Sequence, residues 1–150
     1  VIAWTTLIFG LLLFIADKSK SRNSIDQNIN YKTIIIIGLF QVLALIPGVS
    51  RAGITITAAR FLNFNRYDAT KISFLLSIPA LLGASVINLN DVIDFRKEQI
   101  IFFSSSVLFS FLFSYLTIKY FLKFISIFSL TSFVVYRIFL SLFLFILIFF

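Results

Sequence analysis

The chain has no cysteine, no histidine and no methionine among its 150 residues. Without cysteine it forms no disulfide and no thiolate metal site. Without histidine it lacks the commonest general base near neutral pH. Charge is scarce too, at 13% of residues, against about 25% in a soluble domain. What fills the chain is apolar: 60% of residues are hydrophobic and the mean hydropathy is +1.06. Several segments approach the roughly 20 apolar residues that span a bilayer. The composition therefore excludes a soluble globular domain and points to an integral membrane protein. The net charge of +7 does not imply nucleic acid, because basic loops between membrane helices account for it. With no methionine, and with Val1 standing in mid-hydrophobic sequence, the chain is expected to be the C-terminal part of a longer protein. No basic segment of a signal peptide precedes Val1–Ala16.

Five apolar segments follow one another. Val1–Ala16 reads as a truncated spanning helix, and Ile72–Leu89, Ile100–Ile118 and Leu130–Phe150 read as full spans. Between them lie a basic connector at Asp17–Lys32, a second at Arg60–Lys71 and a mixed polar loop at Asn90–Gln99. The fifth apolar segment is broken. Thr33–Ile46 stops at Pro47-Gly48, and Gly53–Phe64 resumes after it. At about 1.5 Å per residue neither half crosses a core of about 30 Å.

Two topologies compete for residues 33–64: one interrupted crossing, or a re-entrant hairpin that dips in and returns. In the hairpin, nine Lys/Arg (Lys18, Lys20, Arg22, Lys32, Arg60, Arg66, Lys71, Lys119 and Lys123) share one side, and only Arg96 and Lys97 face the other. In the crossing, the two sides are nearly balanced. The positive-inside rule expects a clear bias and so favours the hairpin, with both basic connectors cytoplasmic. The expected fold is an all-α, polytopic membrane helix bundle with a re-entrant helix-loop-helix hairpin, in a single membrane domain over residues 1–150.

The break in that hairpin carries the chemistry. Pro47-Gly48-Val49-Ser50-Arg51-Ala52-Gly53-Ile54-Thr55 sets two glycines, two hydroxyls and an arginine inside apolar sequence. Non-helical backbone at membrane depth is tolerated only where protein buries it or a cavity receives it. The N-terminus of the second half-helix would then point its N–H groups at that cavity, ready for an anion. Arginine grips phosphate bidentately, so Arg51 is the candidate clamp. Ser50 is a candidate donor or nucleophile, although small residues also serve close helix packing. Thr55 could face the same anion, or back-bond to a carbonyl of its own helix. Gly48 and Gly53 set the backbone course and expose N–H groups. The candidate catalytic set is Ser50, Arg51 and Thr55, and the candidate diphosphate-binding set adds Gly48 and Gly53. No metal ligands stand out, since Asp68, Asp91, Asp94 and Glu98 fall in connectors. Arg137, beside Tyr136 in the last span, reads as structural: it snorkels toward an interface or pairs with a buried partner. Gln41 reads as a helix–helix hydrogen bond.

The run from Gln41 to Ala84, QVLALIPGVSRAGITITAARFLNFNRYDATKISFLLSIPALLGA, closely resembles the second signature region of the bacterial undecaprenyl-diphosphate phosphatases of the bacitracin-resistance type. That pattern is a Pro-Gly-x-Ser-Arg-Ser-Gly-x-Thr loop, then Arg-Tyr-x-Ala, then Phe-Leu-Leu-x-Ile-Pro. Tyr136-Arg137 resembles the family's last helix. The resemblance implies hydrolysis of undecaprenyl diphosphate to undecaprenyl phosphate and inorganic phosphate. That reaction recycles the lipid carrier of cell-wall synthesis in the bacterial cytoplasmic membrane. It also implies two inverted-topology repeats, of which this chain is about half. The family's loop serine, arginine and threonine fall on Ser50, Arg51 and Thr55, while its second loop serine is Ala52 here.

The family's first signature, a glutamate-rich motif followed by a serine and a histidine, has no counterpart in the chain. The fragment alone is therefore expected to be inactive. A divalent cation would enter through the missing N-terminal half. Implied partners are the polyprenyl diphosphate lipid, the membrane and that missing half, with a homodimer left open and no nucleic acid. The loop chemistry also suits a broken-helix transporter or flippase for a lipid phosphate, or a non-catalytic scaffold. A buried Glu/His constellation in the missing half would separate hydrolysis from transport.

Overall fold

In the computed structural model, residues 1–87 and 97–149 are described. All seven elements among them longer than one turn of 3₁₀-helix are α-helices: α1 Ile2–Asp17, α2 Ile25–Asn28, α3 Tyr31–Val42, α4 Arg51–Phe61, α5 Arg66–Ile87, α6 Lys97–Ile127 and α7 Thr131–Phe149. A 3₁₀ turn at Leu43–Leu45 prolongs α3. Three helices, Arg66–Ile87, Ile100–Ile127 and Thr131–Ile148, are long and apolar enough to cross a membrane. The chain is an all-α, multi-pass membrane protein.

Several boundaries differ from the expected ones, each for a local reason. Helix α3 starts at Tyr31 rather than Thr33 because Asn30 and Thr33 form a reciprocal capping box. The second basic connector shrinks to residues 62–65. Arg60 sits in the last turn of α4, and α5 already begins at Arg66. Asn65 causes this: its Oδ1 accepts from the Asp68 N–H at 2.8 Å, and its Nδ2 donates to Asp68 Oδ2. Helix α6 runs on through Lys119 and Lys123 to Ile127, so those lysines ride on a helix rather than in a loop. Most of the expected loop at 90–99 lies outside the described residues, as do the last two residues of the Ile72–Leu89 span, Asn88 and Leu89, and Phe150; residues 97–99 already belong to α6.

Helix α4 is the centre of the bundle, packed between α1, α3 and α5. Its residues Ile54 through Arg60 are all buried. A helix enclosed on every side needs small or internally satisfied side chains. Ala58 and Ala59 supply the first. Thr55 and Thr57 supply the second, with hydroxyls bonded to the carbonyls of Arg51 and Gly53. The apolar core joins Ile56, Ala58 and Ala59 of α4 to Leu13, Ile37, Ile72 and Val134. Helix α7 lies along α1, where Ser141 Oγ donates to the Ala3 carbonyl at 2.8 Å and Trp4 meets Phe145 edge-on. Helix α6 touches the rest mainly through α5, and no residue of its apolar window is buried in the protein. Its phenylalanines suit lipid contact.

The two connectors flanking α3 and α4 are tied together. The N–H groups of Arg22 and Asn23 both donate to the Asn63 carbonyl at 3.0 Å, and the Asn65 N–H donates to the Asn23 carbonyl. Above this joint sits Arg60, 2% exposed. It donates to the carbonyls of Asp17, Ser19 and Phe64 and to Ser21 Oγ at 2.6–2.9 Å. Asp17 in turn takes a bidentate pair from Arg66, at 2.7 and 3.0 Å. Removing one partner of a buried charged network costs about 3–5 kcal/mol. Arg60→Ala should therefore destabilise the chain by about that much in detergent unfolding, and Arg60→Lys should recover only part of it. A change within roughly 0.5 kcal/mol, the scale of surface substitutions, would show the network to be incidental.

Candidate active-site loop and its relatives

Residues 46–50 leave the helical pattern between α3 and α4, so their backbone groups need partners from elsewhere. Each of three successive carbonyls finds one. Thr5 Oγ1 donates to Pro47 O at 2.6 Å, Thr6 Oγ1 donates to Gly48 O at 3.3 Å, and both terminal nitrogens of Arg137 donate to Val49 O at 3.1–3.2 Å. The first two donors come from α1 and the third from α7. Gly48 is required twice over. Its φ is +94°, and a Cβ there would collide with Thr5 Oγ1 and stand 2.9 Å from the Ile2 carbonyl.

Ser50 ends the loop and opens α4. Its Oγ accepts from the Gly53 N–H at 3.2 Å, which makes it the N-cap. Its φ is +66°, a left-handed value that costs a non-glycine residue about 1–3 kcal/mol and clusters at functional sites. The first N–H groups of α4, at Arg51 and Ala52, have no intrahelical acceptor and carry the positive end of the helix dipole. The loop thus turns three successive carbonyls onto side chains and leaves the Arg51 and Ala52 N–H groups without an intrahelical acceptor. That polarity favours an anion.

Gly48 and Ser50 line a cavity of about 490 Å³, with Thr6, Tyr136 and Arg137 also in its walls. A smaller cavity of about 160 Å³ lies on the other side of Ser50 and Gly53 and also reaches Arg137. Along α1, Thr6 stands 11 residues before Asp17, which places the loop about 17 Å from the connector joint.

The structure brings Gly48, Ser50 and Gly53 to this loop and its cavities. Arg51 follows directly in α4, but its guanidinium leans toward α5, with Nη1 3.4 Å from the Ser77 carbonyl, and it is not in the wall of the larger cavity. Thr55 departs further from expectation. It is 1% exposed, back-bonded to Arg51 and Ala52, and its Oγ1 lies 2.7 Å from Ser73 Oγ on α5. Its hydroxyl joins α4 to α5 and does not face the cavity. Gln41 Oε1 is buried without a hydrogen-bond partner, so the expected helix–helix bond from that oxygen is not made. Arg137 pairs with a buried partner, the Val49 carbonyl of the loop, and with no carboxylate among the described residues. Its sequence signals were a charge inside an apolar span and the likeness of Tyr136-Arg137 to the family's last helix.

The model of the bacitracin resistance protein BacA family matches residues 1–143. The chain belongs to that family. Among curated relatives, a protein of Pelagibacter ubique named undecaprenyl-diphosphatase is 60% identical over 149 residues, covering 99% of this chain and 58% of that protein. Proteins of the same name from Elusimicrobium minutum and Teredinibacter turnerae are each 44% identical, covering 92% and 97% of this chain and 52% and 56% of theirs. The chain thus spans about half the length of the curated relatives it matches.

The loop geometry makes a discriminating prediction. Losing an N-cap side chain to alanine costs about 1 kcal/mol, and to glycine only a few tenths. At Ser50 glycine also relieves the positive φ. Ser50→Ala should therefore lower the unfolding midpoint in detergent more than Ser50→Gly does. The reverse order would mean that neither the cap nor the strain is real.

Proposed function

We propose that this chain supplies the phosphate-stabilising half of a membrane phosphatase. Its substrate is undecaprenyl diphosphate and its products are undecaprenyl phosphate and inorganic phosphate. The observation that carries this reading is the loop at Pro47–Arg51. Gly48 and the capping Ser50, at the N-terminus of a central helix, line a cavity, in a chain 60% identical to a protein named undecaprenyl-diphosphatase. Phosphoryl transfer asks a protein mainly for positioning and charge stabilisation. Ser50 Oγ and the N–H groups of Arg51 and Ala52 provide donors for phosphate oxygens. Gly48 and Gly53 let the backbone approach. Arg51 adds a full positive charge at the same helix end. Thr55 supports the group from behind by fixing α4 on α5.

Residues 33–64 form the re-entrant hairpin in this reading. The bonded connectors support it, because a single crossing would part them by a membrane thickness. The basic connectors then lie on the cytoplasmic side of the bacterial inner membrane, and the chain forms about half of an inverted-repeat bundle.

The chain contributes no evident base. It has no histidine, and among the described residues no group of three or more His, Asp or Glu could hold a metal ion. Asp17 and Asp68 are committed to the connector joint, far along α1 from the loop. A divalent cation, like the nucleophile's base, therefore finds no ligand set among the described residues. Those groups belong to the remainder of the longer protein.

The test is complementation. The chain should release no phosphate from a short-chain polyprenyl diphosphate by itself in lipid nanodiscs. It should gain activity when co-expressed with the part of the Pelagibacter ubique relative that it does not cover. In the assembled pair, Arg51→Ala should lower the rate by about 10²–10³-fold, the usual loss for a preorganised donor. Hydrolysis by the chain alone would overturn the division of labour, and an inert assembled pair would overturn the phosphatase reading.

A further inference from the structure

Arg137 is held in a way that a purely structural role does not require. Pro47 O and Gly48 O, the neighbours of its acceptor, are each satisfied by a threonine hydroxyl. A neutral donor would serve Val49 O equally well. A cation inside a membrane helix costs about 2.5–3.5 kcal/mol on insertion scales, so a third hydroxyl would be the cheaper solution.

The surrounding structure has nevertheless been cleared for this side chain. A Cβ on Gly10 of α1 would stand 3.3 Å from Arg137 Cβ, and a Cβ on Gly53 of α4 would stand 3.1 Å from Arg137 Nη2 and 3.3 Å from Ser50 Oγ. Two helices thus give up side chains along the length of the arginine. The charge arrives uncompensated. Among the described residues Asp17 pairs with Arg66 and Arg60, and no carboxylate pairs with Arg137. The same guanidinium lies in the walls of both cavities beside Ser50. Val49 O takes up only part of its five N–H donors.

We infer that Arg137 is a second phosphate-binding residue, a guanidinium from α7 that faces the α4 N-terminus across the cavity and supplies the countercharge for a diphosphate. The bond to Val49 O fixes its planar fork before the ligand arrives. This bond also covers the one loop carbonyl that would otherwise repel an anion beside Ser50. The inference rests on the phosphatase reading and adds a residue which that reading does not contain. Arg51, turned toward Ser77, and Arg137, turned toward Val49, approach the loop from different helices. A diphosphate carries two groups that need such neutralisation.

The experiment is binding of inorganic pyrophosphate to the complemented assembly in nanodiscs, followed by calorimetry, with thermal unfolding measured on each variant. Arg137→Gln keeps an N–H donor for Val49 O and removes the charge. It should weaken pyrophosphate binding about 10–100-fold, the range of a lost charge-assisted hydrogen bond, while the unfolding midpoint stays close to wild type. Arg137→Lys keeps the charge without the fork and should fall between the two. Gly53→Ala, which leaves Arg137 in the sequence but crowds its Nη2, should weaken binding in the same direction and gives an independent reading where a substitution at Arg137 fails to fold. Wild-type affinity in a folded Arg137→Gln, or in Gly53→Ala, would overturn the inference and leave Arg137 as a staple on Val49. No pyrophosphate binding by the wild-type assembly would overturn the phosphatase reading and the inference with it.

Discussion

Three carbonyls in a row, at Pro47, Gly48 and Val49, govern the architecture around them. A helix broken inside apolar surroundings must satisfy the acceptors it exposes, and here they are met by Thr5, Thr6 and Arg137 from two other helices. The requirement fixes where α1 and α7 sit relative to the loop. It also decides the loop's electrical character. With three successive acceptors occupied and the first N–H groups of α4 without an intrahelical acceptor, the break carries the positive end of the helix dipole. The anion seat we propose rests on that polarity.

The other end of α4 is solved with charge. Arg60 and Asp17 are buried there, with the carbonyls of Asp17, Ser19 and Phe64 bonded to Arg60, and the Asn63 carbonyl joins the two connectors. This joint and the loop are the two ends of α4. A short helix, buried from Ile54 to Arg60, is thereby held at both termini, and its N-terminal groups need little reorganisation when a ligand arrives. Preorganisation of that kind is what electrostatic stabilisation of phosphoryl transfer depends on.

Much of this was legible in the sequence. Pro47-Gly48 marked the break, because proline and a glycine at positive φ end a helix whatever surrounds them. Ser50 was legible for a similarly local reason: a serine ahead of a helical run caps it. The apolar runs announced the long helices. Less legible was whatever depended on a distant partner. Thr55 looked like a site residue from its spacing, yet Ser73, 18 residues away, draws it into the α4–α5 interface. The start of α5 was hidden in what read as a basic connector, although Asn65 and Asp68 carried the capping signal. The acceptor of Arg137 lies 88 residues earlier, a separation that no local pattern conveys.

The central claim is that the loop is an anion seat and that the basic connectors are not. Locating a heavy tetrahedral oxyanion settles this most directly. In an experimental structure of the complemented assembly soaked with tungstate, the tungsten peak should lie within hydrogen-bonding reach of Ser50 Oγ and the Arg51 and Ala52 N–H groups. A peak confined to Arg22, Arg66 or the lysines of the connectors, with the loop cavity empty of tungsten, would contradict the account.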